Sequence, residues 1–192
     1  PTPVTGLMAT GTKAAAFAFL LNALLALPSS TSTSLALIAL ITMALGNLGA
    51  LVQQDVKRML AYSGIAHAGV VLLGIAGAVA GDPKQGGAVQ AALFYMAAYV
   101  ATAGGAFGVL ALLERDGERM TTLEGLKGLG QRRPYLAAAL TVFMLSLAGI
   151  PATGGFLGKW MVFSVAVRAE MIPAAVVGVL LSVVALGYYL RV

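Results

Sequence analysis

From residue 14 to residue 54 the chain carries no charged side chain, and further charge-free runs follow at 59–81, 85–113, 134–158 and 171–190. A helix of roughly 20 apolar residues is what crosses the ~30 Å hydrocarbon core of a bilayer. No other feature of the sequence constrains the fold as strongly. Hydrophobic residues make up 59% of the 192 positions and charged ones 10%. So few charges leave a soluble domain of this size short of polar surface, and so much apolar content is the opposite of a disordered chain. The sequence therefore predicts an all-α, polytopic transmembrane helix bundle.

The first run is too long for one crossing, and Pro28 with the Ser/Thr tract at 29–34 divides it. Six helices are expected, at about 4–27, 35–53, 57–80, 87–113, 134–167 and 172–192. Six crossings alternate sides and so sort the loops. One side collects Lys57, Arg58, Arg115, Arg119, Lys127, Arg132, Arg133 and Arg191, the other Lys84 and Arg168. Positive charge marks the cytoplasmic side. In a bacterial inner (plasma) membrane the loops at 53–58 and 114–133 are then cytoplasmic. The 114–133 connection carries Glu114, Asp116, Glu118 and Glu124 as well and reads as a short amphipathic surface segment. Because the chain opens on Pro1, it reads as a piece of something longer. Gly104 with Gly108, and Gly64, Gly69, Gly74 and Gly77, are small residues of the kind that let membrane helices approach closely.

Several chemistries fall by counting. With no cysteine and one histidine, this chain alone builds no disulfide, no thiolate metal site and no two-histidine metal or haem site. The net charge of +5 is scattered between apolar runs and forms no stripe for nucleic acid. Gly158-Lys159 after a glycine-rich stretch is no phosphate loop, because Thr153 stands where a glycine is needed and Trp160 where a hydroxyl is needed.

Ionisable groups inside a membrane are costly and point to function. There are three: Lys13, His67 and Lys159. At 1.5 Å per residue, each lies roughly 14–15 Å from the end of its own span, so three titratable groups on three helices share one depth. That is the layout of a lateral proton relay. Each also has a plainer reading. Lys13 could snorkel to the interface. His67 could be a neutral imidazole satisfied by Ser63 one turn away. Lys159, beside Trp160, could sit in an interfacial belt.

An uninterrupted helix over 134–167 would measure ~51 Å, too long for a bilayer. Gly149, Pro151, Gly154 and Gly155 supply a break, giving half-helices of about 14 and 12 residues with Lys159 just past the gap. Broken helices of this kind mark ion sites in transporters. A lysine in water titrates at about 10.4, burial favours its neutral form, and a carboxylate nearby favours the charged one. A lysine whose counter-ion moves can thus take up and release a proton, and a histidine between two lysines suits a shuttle. Tyr62, Ser63, Tyr95, Tyr99 and Thr102 are candidates to hold bridging waters, with ordinary packing the favoured reading for Tyr95 and Tyr99. No Asp or Glu lies in an apolar span, so the partner carboxylate of these lysines is expected outside this sequence.

Three segments, PTPVTGLMATGTK (1–13), GNLGALVQQDVKRMLAYSGIAHAGVVLLG (46–74) and MLSLAGIPATGGFLGKW (144–160), resemble the antiporter-like subunits of respiratory complex I, the proton-translocating NADH–quinone oxidoreductase. They fall in order along essentially the whole chain, and the wording of the third is most similar to the N-type subunit. The M-type usually has Glu where Lys159 stands. The resemblance implies a fourteen-helix parent with two inverted five-helix repeats, of which this chain looks like helices eight to thirteen. Residues 1–27 would be the last helix of the first repeat and 35–192 the second repeat, in one transmembrane domain. It implies that Lys13, His67 and Lys159 are the connecting, central and terminal members of a proton relay. The family's Glu–Lys pair, on the fifth and seventh helices, lies outside this segment. It implies no cofactor in this chain, with NADH, FMN, iron–sulfur clusters and quinone held by partner subunits, among them further antiporter-like ones. Homologous subunits of cation/proton antiporters and membrane-bound hydrogenases share the motifs. A small-solute transporter and a passive membrane scaffold are the rivals of other classes.

Overall fold

The computed structural model describes residues 2–81, 87–115 and 121–192, without the side chain of Arg115. Lys84, Asp116, Glu118 and Arg119 lie outside the described residues. The helices are α1 (Thr2–Leu25), α2 (Ser32–Leu51), α3 (Val56–Ala80), α4 (Ala88–Arg115), the single turn α5 (Leu129–Arg132), α6 (Pro134–Ala148), α7 (Gly154–Arg168) and α8 (Ile172–Tyr189), and no strand occurs among the described residues. In lipid every backbone N–H and C=O must be satisfied within the segment, which is why apolar runs of this length become helices. Helices α1, α2, α3, α4 and α8 are long and apolar enough to cross a membrane. Leu7, Phe19, Leu37, Leu48 and Leu180 point outward from α1, α2 and α8, as lipid-facing side chains do.

The remaining crossing belongs to α6 and α7 together. Each has 15 residues, about 22 Å of helix, so neither spans the bilayer alone. The break is built by its residues. Gly149 takes a left-handed conformation (φ 86°, ψ 42°). Its N–H donates back to Leu145 and Ser146, and the Ile150 N–H to the Leu145 carbonyl at 3.0 Å, the bonds that close a helix C-terminus. Thr153 then caps α7 by accepting from the Phe156 N–H at 3.3 Å. Gly155 is needed for space, since a Cβ there would fall 1.9 Å from the Ser146 carbonyl oxygen. Gly154 is less constrained, its nearest neighbour being Ala98 Cβ at 3.7 Å. The start of α7 thus lies against the last turn of α6. That overlap is how halves longer than the expected 14 and 12 residues fit.

Helix α3 is the axis of the bundle, buried from Val56 to Val79 on most of its circumference. Its glycines admit its neighbours. A Cβ on Gly69 would meet the Ala39 carbonyl at 2.6 Å and one on Gly77 would meet Val165 at 2.9 Å. From α2, a Cβ on Gly46 would fall 2.3 Å from the Ala66 nitrogen. For Gly104 and Gly108, expected to be a packing pair, no other element among the described residues comes within 4 Å of a Cβ on either. Gly105, one residue on, is the tight position, 2.4 Å from the Phe143 ring. In an α4 that is apolar on several faces, the spacing of glycines alone did not say which face meets α6.

The ends of the helices sort as the charges do. Asp55 caps α3 by accepting from the Arg58 N–H at 3.0 Å. The Val56 N–H donates to the Thr121 carbonyl at 2.6 Å, and the Leu123 N–H to that of Gln54 at 3.0 Å. Lys57 and Thr2 both bond the Glu114 carboxylate, and Arg191 donates to the Leu51 carbonyl at 2.8 Å. The chain start, the 52–55 turn, the 121–133 segment and the end of α8 therefore share one face of the bundle. Within 121–133, Leu126 and Leu129 are buried, which docks this segment on the bundle.

Candidate functional site

Lys159 stands in the second turn of α7 and is buried, while Trp160 beside it is 65% exposed and stacks on Phe156. The lysine points into the bundle and the tryptophan out of it. The Lys159 ammonium donates to the carbonyls of Leu147 at 3.1 Å and Ala148 at 3.0 Å. These belong to the end of α6, where the helix has run out of backbone donors and its dipole is negative. Gly149 makes this approach possible, because a Cβ there would fall 3.1 Å from Lys159 Cδ and 3.2 Å from Nζ. Within this segment the end of the half-helix α6 supplies the acceptors of Lys159. Among the described residues neither Lys13 nor Lys159 is in a salt bridge.

Lys13, on α1, is half-buried. Its nitrogen occupies a notch opened by Gly64, where a Cβ would stand 2.5 Å from Lys13 Nζ and 2.7 Å from the Tyr99 hydroxyl. That hydroxyl donates to the Ala9 carbonyl at 3.3 Å. The Tyr99 ring in turn lies 5.0 Å, centroid to centroid, from the imidazole of His67.

His67 is buried at the middle of α3 and is satisfied from other helices. Nδ1 meets the Tyr95 hydroxyl at 2.5 Å and Nε2 the Tyr189 hydroxyl at 2.9 Å. Ser63, the expected partner, donates instead to the Leu60 carbonyl at 2.8 Å, the helix's own acceptor three residues back. Tyr95 packs its ring where Gly158 leaves room, next to Lys159. Packing and polar contact are therefore not alternatives for Tyr95 and Tyr99, which do both. Thr102 donates to the Ala98 carbonyl at 2.6 Å and lies 3.3 Å from the Ser146 hydroxyl, which receives the Gly155 N–H at 3.3 Å. It braces the break. Tyr62 is not brought to the site: it is 40% exposed, with its ring against Gly49.

His67 and Lys159 line one small cavity together with Asn47, Ser182 and Tyr188, with room for about one water. Asn47 donates to the Leu181 carbonyl at 2.8 Å and accepts from Tyr188 at 3.0 Å. The Ser182 hydroxyl is buried and has no hydrogen-bond partner among the described residues. Lys13, Tyr99, His67, the cavity and Lys159 follow one another through the bundle. Sequence reasoning missed Asn47, Ser182, Tyr188 and Tyr189. Two tyrosines near a helix end read as an interfacial belt. Asn47, a carboxamide deep in an apolar run, was the one signal available.

Six crossings, one of them broken where a buried lysine caps a half-helix, define a multi-pass membrane protein with an ionisable row inside the bundle. The chain belongs to the NADH:quinone oxidoreductase/Mrp antiporter transmembrane family, which it matches over residues 1–185. It is 49% identical, over its whole length, to NADH-quinone oxidoreductase subunit N 2 of Roseiflexus castenholzii, covering 40% of that protein. Among solved structures it is similar to a chain of respiratory complex I from Thermus thermophilus with bound aureothin. That match has a TM-score of 0.82 and 39% identity, and covers 100% of this chain and 41% of the other. It is also similar to a chain of the Mrp complex from Dietzia sp. DQ12-45-1b, with a TM-score of 0.75 and 29% identity over 85% of this chain and 29% of that one. The chain spans about 40% of the length of the curated relatives it matches.

Proposed function

We propose that this chain is part of an N-type antiporter-like subunit of a proton-translocating NADH–quinone oxidoreductase in a bacterial inner membrane, and that it moves protons along Lys13, His67 and Lys159. The observation that carries the reading is the pairing of His67 and Lys159 on the walls of one small pocket, with Lys13 reached through Tyr99 on the other side. The names of the relatives support the assignment to the complex. NADH oxidation and quinone reduction, with their FMN and iron–sulfur clusters, belong to partner subunits. This chain contributes groups that hold and pass a proton. Moving one charge against 100 mV costs ~2.3 kcal/mol, and one pKa unit is worth ~1.4 kcal/mol. A change in how a lysine is solvated or paired is therefore large enough to drive transfer. The loops at 53–58 and 114–133 face the cytoplasm in this reading.

The test compares Lys13→Ala, Lys159→Ala and Lys159→Arg in the full-length subunit, in inverted vesicles. NADH oxidation and the pH gradient are followed together, and assembly is checked on a native gel. Both alanine variants are expected to lose acidification in an assembled complex. Lys159→Arg keeps a donor for the end of α6 but cannot release its proton, so it should assemble and still fail to acidify. Full gradients in both alanine variants would sink the relay. The second reading, a subunit of a cation/proton antiporter, is favoured by the likeness to the Mrp complex. It predicts proton exchange that depends on a cation and not on NADH.

A further inference from the structure

Asn47 lies deep in α2 and is 2% exposed. Its carboxamide donates to the Leu181 carbonyl at 2.8 Å and accepts from the Tyr188 hydroxyl at 3.0 Å. Both partners are on α8, about two turns apart, so they share a face of that helix. A helical carbonyl points toward the C-terminus, and a helical side chain leans back toward the N-terminus. The two therefore converge on one amide, which grips α8 from both directions. Such a grip needs a donor and an acceptor on one short side chain. A carboxamide has both, and a leucine of similar size has neither. Tyr188 is followed by Tyr189, with the two ring centroids 4.5 Å apart, and the Tyr189 hydroxyl stands 2.9 Å from Nε2 of His67. Both tyrosines are buried, in an interior too closely packed for either ring to shift alone. A turn of α8 that took Tyr188 off Asn47 would take Tyr189 off His67. Arg191 also joins α8 to α2, through the Leu51 carbonyl at 2.8 Å, but it is exposed and lies past the end of the helix.

We propose that Asn47 is a positioning residue of the relay: by gripping α8 at two points it holds the Tyr189 hydroxyl on Nε2 of His67. The inference rests on the relay reading and adds to it a residue that acts through another. Nδ1 of the ring has its own partner in the Tyr95 hydroxyl of α4, so α8 governs Nε2 alone. A protonated imidazole donates from both nitrogens. With Tyr189 in place, an N–H on Nε2 has an oxygen to donate to. With α8 turned away, that N–H would be buried without an acceptor, which is costly inside a membrane. The grip on α8 thus bears on how readily His67 holds a proton, although α2 itself brings no titratable group to the ring. The titratable groups that do surround it are Lys13 from α1, beside Tyr99, then Tyr95 and Tyr99 from α4, Lys159 from α7, and Tyr188 and Tyr189 from α8.

The experiment uses the full-length subunit in the assembled complex, in inverted vesicles, with assembly read on a native gel. NADH-driven acidification is followed across a range of pH. Asn47→Leu keeps the volume and removes both bonds. Its acidification is expected to fall roughly three- to tenfold, what one hydrogen bond is worth, with a displaced pH profile. Tyr189→Phe should displace the profile the same way, and Asn47→Leu added to Tyr189→Phe should cost nothing more. Arg191→Gln, which cuts the exposed tie between the same two helices, should leave the profile in place. A wild-type rate and profile in Asn47→Leu, beside defective Lys13→Ala and Lys159→Ala, overturns the role of Asn47 and leaves the relay standing. A lower rate with an unmoved profile also overturns it, since Asn47 would then act on stability alone. So does a loss that simply adds to that of Tyr189→Phe, or a Tyr189→Phe that behaves as wild type, because Asn47 would not be acting through that hydroxyl. Full acidification in both lysine variants removes the relay reading and this role with it. Tyr188→Phe, which keeps the ring and cuts one of the two bonds, decides the matter if Asn47→Leu does not assemble. A displaced profile supports the grip, and a wild-type profile overturns it.

Discussion

A lysine with no carboxylate in its span looked like an unpaid charge, yet Lys159 has two acceptors 3.0–3.1 Å away. They exist because α6 stops at Ala148 and leaves its last carbonyls without backbone donors. Gly149 both ends that helix and makes room for the lysine stem. Gly149→Ala is therefore expected to act twice. A non-glycine residue at φ 86° costs on the order of 1–2 kcal/mol. The new methyl also presses on Lys159 from 3.1 Å. The expected result is an assembled complex with lower heat resistance on a native gel and reduced acidification. Ala152 is the contrast: it already sits at φ 73°, so Ala152→Gly should be neutral or raise heat resistance by up to about 1 kcal/mol. The lysines and the histidine were legible in sequence because charge inside an apolar run stands out. The tyrosines that bond His67 were not, because an uncharged amphipathic side chain is at home both in a packed membrane core and at the interface.

At the level of elements, the crossings and the break could be read along the chain. Helix rise and bilayer thickness limit how long a span can be, and 134–167 exceeded that limit. Which faces meet was a different matter. Gly64, Gly69, Gly74 and Gly77 do admit neighbours, whereas Gly104 and Gly108 meet none among the described residues and Gly105 takes the contact. Between α2 and α3 the close approach is at Gly46 and Ala66, and the atom in the way is backbone nitrogen, which cannot rotate aside. Gly46→Ala is expected to push the α2–α3 hairpin apart at a cost of about 1–3 kcal/mol, seen as a lower yield of assembled complex. Gly104→Ala, with no neighbour within 4 Å among the described residues, is the comparison. Equal yields from the two would show that the hairpin tolerates a wider spacing.

For the molecule as a whole, the sorting of basic residues agrees with the contacts that tie the chain start, the 52–55 turn, the 121–133 segment and Arg191 to one face. The sequence has no cysteine, so sidedness can be tested with single introduced thiols in a cysteine-free full-length subunit. Exposed Gln131→Cys should react with an impermeant maleimide in inverted vesicles, and exposed Glu170→Cys only in right-side-out ones. The reverse pattern would place the basic face outside. Length of apolar run, position of Gly and Pro, and charge between runs are local quantities, and from them alone the chain determined its apolar helices and its broken helix. Rotation of each helix about its own axis was decided only by tertiary structure. A membrane helix is apolar on nearly every side, so hydrophobicity points it nowhere. Close packing at glycines and the need to satisfy each buried polar group decide instead which side chains meet. That is why His67 could be located from the sequence while Tyr95 and Tyr189, the hydroxyls on its two nitrogens, could be assigned only once α3, α4 and α8 were in place.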